Sequence, residues 1–195
     1  MEKLTALYIQ YKGEEPAEIE KIPGAGSNRQ YYRFIGKDGE SVVGVIGTSR
    51  DENHAFIYLD HHFQLRQLPV PHILAVSEDE LCYLQTDLGH TSLFDAIRGG
   101  REAGGRYNQN EQQLLIKTIR ALPNFQIRGA RGLDWKNCYP QPEFDEESVL
   151  FDLNYFKYCF LKATGLDFHE LKLEANFHMF AQDLTSETSD YFLYR

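Results

Sequence analysis

The residues best suited to chemistry lie in a glycine-containing run, residues 24–29, which reads GAGSNR. It begins like the dinucleotide fingerprint, in which glycines let the backbone approach a pyrophosphate where a helix starts. The third glycine is missing, and the residues that follow, YYRF at 31–34, favour a strand where that fingerprint requires a helix. The run therefore predicts a β-hairpin with a donor-rich tip. That tip is either an ordinary turn or a flap that closes over phosphates.

Charge and composition restrict the classes of partner. The 195 residues include 20 Lys and Arg against 29 Asp and Glu, which gives a net charge of −9. Non-specific binding to nucleic acid or to anionic lipid requires a basic face, so we expect neither partner. No stretch resembles a signal peptide or has the apolar length needed to cross a bilayer. We therefore expect a cytoplasmic protein.

The cysteines and histidines do not follow a metal-binding pattern. Cys82, Cys138 and Cys159 are odd in number and lack C-x-x-C spacing, which predicts reduced thiols and no zinc site. Three histidines at positions 54–62 fall on one predicted helix, but without the i, i+4 spacing of a zinc-binding H-E-x-x-H helix. We predict no metal site among these side chains.

Hydrophobic periodicity divides the chain into a β-rich part, residues 1–89, and an α-rich part, residues 90–195. In the β-rich part it predicts a helix that stops at Gly13, then a three-stranded antiparallel meander, a second helix and two more strands. The Asp38-Gly39 pair supports one hairpin of the meander, because Asp-Gly tolerates positive φ. The predicted strands are 17–22, 30–35, 41–46, 73–76 and 81–85, and the second helix runs from Asp51 to a point before Leu68.

The α-rich part is predicted to consist of helices joined by loops. Ser92 followed by Asp95 resembles a capping box and predicts a helix over residues 92–97. A charged, glycine-containing stretch at 99–105 predicts a flexible loop. Longer helices are predicted at 111–122, at 148–163 with a stop at Gly165, and at 168–184 with a start at Asp167-x-x-Glu170.

Four short blocks occur in order along the chain: GSNRQYYR at 26–33, ENxxF at 52–56, LPVP at 68–71 and LQTDLG at 84–89. Together with the element order, they resemble the opening of the aminoglycoside phosphotransferase family, especially its bacterial branch that phosphorylates amino sugars. The resemblance covers about residues 20–97. It implies an α+β, protein-kinase-like fold. In that fold, an antiparallel five-stranded N-lobe with one helix precedes the first helices of a mostly α C-lobe.

The resemblance also implies a cofactor, ATP or another nucleoside triphosphate with Mg²⁺, and a set of residues that hold it. The glycine-rich hairpin would cover the β- and γ-phosphates, and the backbone after the last strand would contact the adenine edge. For the hairpin a plain turn remains an alternative, and for Asp87 alone an ordinary loop that closes a strand remains one. The implied cofactor-binding residues are Gly24, Gly26, Ser27, Asn28, Arg29, Glu52, Gln85, Thr86 and Asp87.

One departure from the resembled pattern concerns the third strand. In the family a basic residue there holds phosphates and pairs with a Glu on the next helix, and Glu52 stands where that Glu is expected. The strand reads SVVGVIG and contains no Lys or Arg. The cation could come instead from Arg29, Arg33 or Arg50. Glu52 could also be only a helix N-terminal carboxylate that complements the helix dipole.

The end of the chain, DYFLYR at 190–195, resembles the strand that leads into the family's catalytic loop. We expect the catalytic Asp, an Asn and a metal-binding Asp to follow Arg195, so this chain is interpreted as an amino-terminal portion without catalytic residues or metal ligands. The function implied is transfer of a γ-phosphate to a hydroxyl of a sugar, amino sugar or aminoglycoside. The alternative is a pseudo-kinase, or a nucleotide-binding or interaction module without catalysis. An apolar face on helix 148–163 predicts self-association.

Overall fold

The computed structural model describes residues 1–24, 28–187 and 191–192. These residues form an α+β protein with a five-stranded, wholly antiparallel sheet in the order β1-β2-β3-β5-β4. All five strands were predicted, with ends that differ by one residue at most. The strands are β1 Glu18–Ile22, β2 Gln30–Ile35, β3 Ser41–Ile46, β4 Ile73–Val76 and β5 Cys82–Thr86.

One face of the sheet is covered by the first helix, α1, Glu2–Lys12. Leu4 and Tyr8 on this helix are fully buried, and the Tyr8 ring stacks on Phe34 of β2 with 5.0 Å between ring centroids. Burying an apolar side chain of this size contributes about 1.5–3 kcal/mol. The helix ends as predicted at Gly13, whose φ of 81° suits glycine and whose N–H donates to Ile9 O at 2.7 Å.

The opposite face of the sheet packs against the second helix, α2, Arg50–Gln64. Val45 and Tyr83 are fully buried there, and the Tyr83 ring stacks on Phe56 of the helix at 5.3 Å. The Ser49 side chain caps the helix by accepting from Glu52 N at 3.3 Å. Buried Asn53 donates to Glu80 O at 2.8 Å, which ties the helix to the β4–β5 turn.

The helix predicted at 92–97 is confirmed as α3, Leu93–Ala96. The predicted loop at 99–105 is wrong in part, because a short helix, α4, Arg98–Glu102, occupies its first residues. Gly100 explains the difference. A Cβ there would lie 2.1 Å from the Tyr107 ring, so only glycine permits the packing, and Gly100 N donates to Glu111 Oε1 at 2.9 Å. These tertiary contacts stabilise a turn of helix that local propensity disfavours.

The longer helices were predicted correctly in type, with differences at their ends. They are α5 Gln109–Pro123, α6 Glu146–Phe156 and α7 Glu170–Thr185. The predicted helix 148–163 is correct in extent but continues after α6 as a π-helical and then a 3₁₀ segment, ending at Gly165 with φ 73°. The predicted cap of the last helix was wrong: His169, not Asp167, accepts from Lys172 N at 3.3 Å.

The helical part attaches to the sheet part through the carboxyl-terminal end of α2. His62 donates from Nε2 to Gly129 O at 2.7 Å, and Phe63 meets Phe125 edge to face at 5.7 Å. Asp134 N donates to the Tyr58 hydroxyl at 2.9 Å. Within the residues that the structure describes, no helix is both long enough and apolar enough to span a membrane.

Candidate functional site

A cleft of about 450 Å³ lies between the face of the sheet and the segment after β5, residues 86–90, here called the connector. Strand register creates its wall, because residues two apart on a strand share a face. Arg33 lies opposite Glu20 on one side and Val43 on the other, and Val43 lies opposite Gln85. The lining residues are Glu20, Lys21, Ile22, Pro23, Tyr31, Arg33, Val43, Gln85, Thr86, Asp87, Leu88, Gly89 and His90.

A buried ion pair closes the connector end of the cleft. The Arg33 guanidinium donates from Nε and NH2 to the Asp87 carboxylate, with NH2 at 3.0 Å from Oδ1, and both side chains are less than a tenth exposed. Ser41 Oγ and Gly89 N donate to the same carboxylate at 2.8 and 2.9 Å. Hydrogen bonds from Arg33 hold the pKa of Asp87 well below its usual range, and those bonds raise the pKa of Arg33.

Arg33 also holds the backbone of the connector in place. Its NH2 donates to Gly89 O at 2.9 Å, and its NH1 lies 2.9 Å from His90 Nδ1. Because a guanidinium only donates, that ring nitrogen accepts. Glu20 Oε2 completes the cluster at 3.6 Å from NH1. The Asp87 side chain is therefore committed to the fold of the connector, as expected for a loop that closes a strand.

The backbone groups in and next to the connector differ in whether they form hydrogen bonds within the protein. Thr86 N donates to His72 O at 2.9 Å, and Gln85 is paired in the sheet with Val43 and Ile73. Leu88, which sequence reasoning did not single out as a contact, is 75% exposed. No hydrogen bond joins the Leu88 backbone to another group in the part of the chain that the structure describes.

The side chain of Gln85 has an unpaired polar atom at the cleft. Its Oε1 is buried and has no hydrogen-bond partner among the described residues. Tyr8, Asn53, Asp60 and Tyr83 have similar buried side-chain atoms and do not line the cleft, so this atom does not by itself identify a ligand. Gln85 was predicted to contact a ligand through its backbone, which is paired with both neighbouring strands in the sheet.

The far end of the cleft leads to the glycine-containing run. Gly24 and Asn28 are exposed, while Gly26 and Ser27 lie outside the described residues. Nothing in the fold requires glycine at position 24, because its φ is not positive and an added Cβ would meet only Arg29 O, at 3.9 Å. The backbone at Gly24 is accordingly open to close approach by another group.

Arg29 and Glu52 form an ion pair beyond the lining residues of the cleft, with Arg29 two positions before Tyr31. Arg29 NH2 lies 3.1 Å from Glu52 Oε1 and donates to Glu52 O at 3.2 Å. The guanidinium carbon lies 5.1 Å from the centre of the Phe56 ring, and the Arg29 side chain is only 11% exposed. Glu52 lies in the first turn of α2 and pairs with Arg29, which directly precedes β2. The sequence had left open which arginine could be this cation.

The remaining titratable groups form no further cluster in this region. Among the residues that the structure describes, no group of three or more His, Cys, Asp or Glu is placed to hold a metal ion. His54 contacts Glu80 at 3.2 Å, and burial lowers the pKa of His62.

Sequence reasoning missed part of the lining. Glu20, Ile22, Tyr31 and Val43 were identifiable from strand alternation once the Asp38-Gly39 turn set the register. The contact between His90 and Arg33 spans 57 residues and left no local signal.

Comparison with known proteins adds no relative. No protein-family model matches the chain, and no curated protein matches it. The case for a function therefore depends on the cleft and on the residues around it.

Proposed function

We propose that this chain binds a nucleoside triphosphate, ATP in the first instance, in the cleft between the sheet and the connector. We further propose that it serves a phosphotransferase that moves the γ-phosphate to a hydroxyl of a sugar, amino sugar or aminoglycoside. The observation that carries the proposal is the cleft itself. It has the connector at one end, Pro23 next to the exposed Gly24 at the other, and Gln85 among its lining residues.

The connector half of the cleft suits a purine base. Its volume of about 450 Å³ falls within the range of about 300–1,000 Å³ typical of small-molecule sites. Ile22 and Val43 offer apolar surface to the faces of a ring. The Leu88 backbone offers one donor and one acceptor to the edge of the ring.

The other half suits phosphates. The exposed backbone at Gly24 and Asn28 permits close approach, because the glycine presents no side chain. Lys21 lines the cleft and adds positive charge on that side. A strand pair that presents such a run beside the sheet is also how protein kinases cover the phosphates of ATP. The proposed fold is therefore protein-kinase-like, with an N-lobe at residues 1–89.

The pseudo-kinase alternative has one observation in its favour. β3 carries no Lys or Arg, and buried Val45 stands on the cleft-facing side of that strand. A cation from β3 is normally part of the catalytic arrangement in kinases. The two alternatives differ in whether a protein containing this chain forms a phosphorylated sugar when given ATP, Mg²⁺ and a panel of amino sugars. Mass spectrometry of the products separates them.

Two further parts of the proposal follow from the ligand. ATP is a cytoplasmic metabolite, and the free thiols of Cys82, Cys138 and Cys159 suit a reducing compartment. Mg²⁺ would accompany the nucleotide through its phosphates. The partner is a small sugar-like acceptor.

Calorimetric titration of adenosine and of ATP into the chain tests nucleotide binding. A matched pair of variants on β1 locates the site: Ile22→Ala removes apolar surface from the cleft, while Ile19→Ala removes it three residues away along the strand, on the other face. We expect both nucleotides to bind, and Ile22→Ala to weaken both by about 5-fold to 50-fold. Ile19→Ala should stay within about 2-fold of the unmodified chain. Failure of both adenosine and ATP to bind would refute the proposal.

A further inference from the structure

We propose that Arg29 supplies the phosphate-binding cation of this cleft, in place of a basic residue on β3. The inference rests on the proposed nucleotide site and names the residue that recognises its phosphates. It assigns to Glu52 a positioning role, because Glu52 contacts the guanidinium and not the nucleotide.

The position of Arg29 before β2 suits contact with the phosphates of a bound nucleotide. Arg29 precedes β2 and shares the cleft-facing side with Tyr31 and Arg33, since residues two apart point the same way. Arg33 contacts the connector, where the base is proposed to lie. Four residues of extended chain span about 13 Å, which separates the two arginines along the strand. A nucleotide whose base contacts the connector therefore directs its phosphates toward Arg29.

The Arg29 side chain is also preorganised. The Arg29 guanidinium is held from one side by the Glu52 side chain and backbone oxygen, and it lies over the Phe56 ring. With 11% of its side chain exposed, it has already lost most of its rotamer freedom. A guanidinium stays charged at any physiological pH and presents a planar fork that matches phosphate oxygens.

Three arginines could replace the basic residue that β3 lacks, and two of them have contacts elsewhere. Arg33 donates to Asp87 and Gly89 within the connector. Arg50 is 68% exposed and pairs with Glu80 at 3.3 Å, at the β4–β5 turn. Among these three, only Arg29 pairs with Glu52, in the first turn of α2. The cation–glutamate pair of a kinase-like lobe is thus formed with a cation that directly precedes the neighbouring strand.

Titration calorimetry with adenosine, ADP and ATP tests the assignment, because adenosine shares the base but lacks the phosphates. For Arg29→Met we expect ADP and ATP to bind about 10-fold to 100-fold more weakly, since charge-assisted hydrogen bonds are lost. Adenosine should bind within about 2-fold of the unmodified chain. Arg29→Lys keeps the charge without the fork, so its loss for ATP should be intermediate.

Arg50→Met is the matched control, because it removes an arginine that also pairs with a glutamate, but one whose partner, Glu80, lies in the β4–β5 turn. Its ATP affinity should not change by more than about 2-fold. Circular dichroism and thermal unfolding check that each variant is folded. If Arg29→Met is not folded, Arg29→Lys is used to test the assignment.

Two outcomes are distinguishable. In the first, the unmodified chain binds adenosine and ATP, and Arg29→Met keeps full ATP affinity. The Arg29 assignment is then wrong and the proposed function stands. The same conclusion holds if Arg29→Lys is the variant tested and keeps full ATP affinity. If the unmodified chain binds neither ligand, the proposed function is wrong and the assignment falls with it.

Discussion

Removal of Arg33 should destabilise the protein far more than removal of an arginine from an exposed ion pair. Arg33→Met leaves the Asp87 carboxylate with a side chain 6% exposed and deprives it of two of its four hydrogen bonds, keeping those from Ser41 and Gly89. Breaking a buried ion pair from one side costs about 3–5 kcal/mol, because the remaining charge stays buried. We expect the free energy of unfolding to fall by that amount.

The control is a second Arg–Asp pair in the same chain. Arg98 lies 2.8 Å from Asp95, and these side chains are 60% and 44% exposed. Arg98→Met should cost less than about 1 kcal/mol, because exposed ion pairs are screened by water. Urea titration followed by circular dichroism, with the single and double variants of both pairs, gives the two coupling energies.

For the buried pair, Asp87→Asn combined with Arg33→Met should cost less than the two single changes summed, by about 1–3 kcal/mol. For the exposed pair, Asp95→Asn with Arg98→Met should be additive within about 1 kcal/mol. If Arg33→Met and Arg98→Met cost the same, the ion pair does not hold the connector, and the description of the cleft's connector end is wrong.

Three further predictions concern pH, packing and association. Because the pKa of Asp87 is lowered in the folded state, its contribution to stability is complete above its unfolded pKa of about 4 and is lost as pH falls below that. Asp87→Asn should therefore make the free energy of unfolding fall less steeply with decreasing pH in an acid-unfolding experiment. Gly44→Ala should destabilise by about 1–3 kcal/mol in urea titration, because its Cβ would lie 2.7 Å from the buried Phe34 ring. The 195-residue chain should self-associate in sedimentation velocity, and Phe151→Glu with Tyr155→Glu, at rings 70% and 65% exposed, should reduce association; a concentration-independent monomer would contradict this.

The sheet was predictable because its signals are local. β-branched and aromatic residues make up most of β2 and β3, and the Asp38-Gly39 turn fixes their register, with φ 82° at the glycine. The short helix α4 was not predictable, because Gly99 and Gly100 favour a loop locally. Its stability comes from Tyr107 and Glu111, which lie later in the chain and contact Gly100.

The candidate site was predictable only in part, because some of its residues contact partners that are far away in the sequence. The sequence pointed to residues 85–87, which line the cleft, and to the glycine-containing run, of which Gly26 and Ser27 lie outside the described residues. It did not distinguish Arg29 from Arg33, since both precede or occupy the same strand and point the same way. The distinction comes from Glu52 and Asp87, which lie 23 and 54 residues away from their respective partners.

These two partners give the ends of the cleft different electrostatic character. Asp87 and its Arg33 are both less than a tenth exposed, so their charges cancel within a rigid cluster that offers a neutral environment to a base. Glu52 is 36% exposed, so solvent weakens its hold on the charge of Arg29, and Lys21 adds a second cation to the cleft. A ligand that is uncharged at one end and anionic at the other fits this polarity. A ligand carrying negative charge at its connector end would meet the Glu20 carboxylate beside this neutral pair, which should disfavour it.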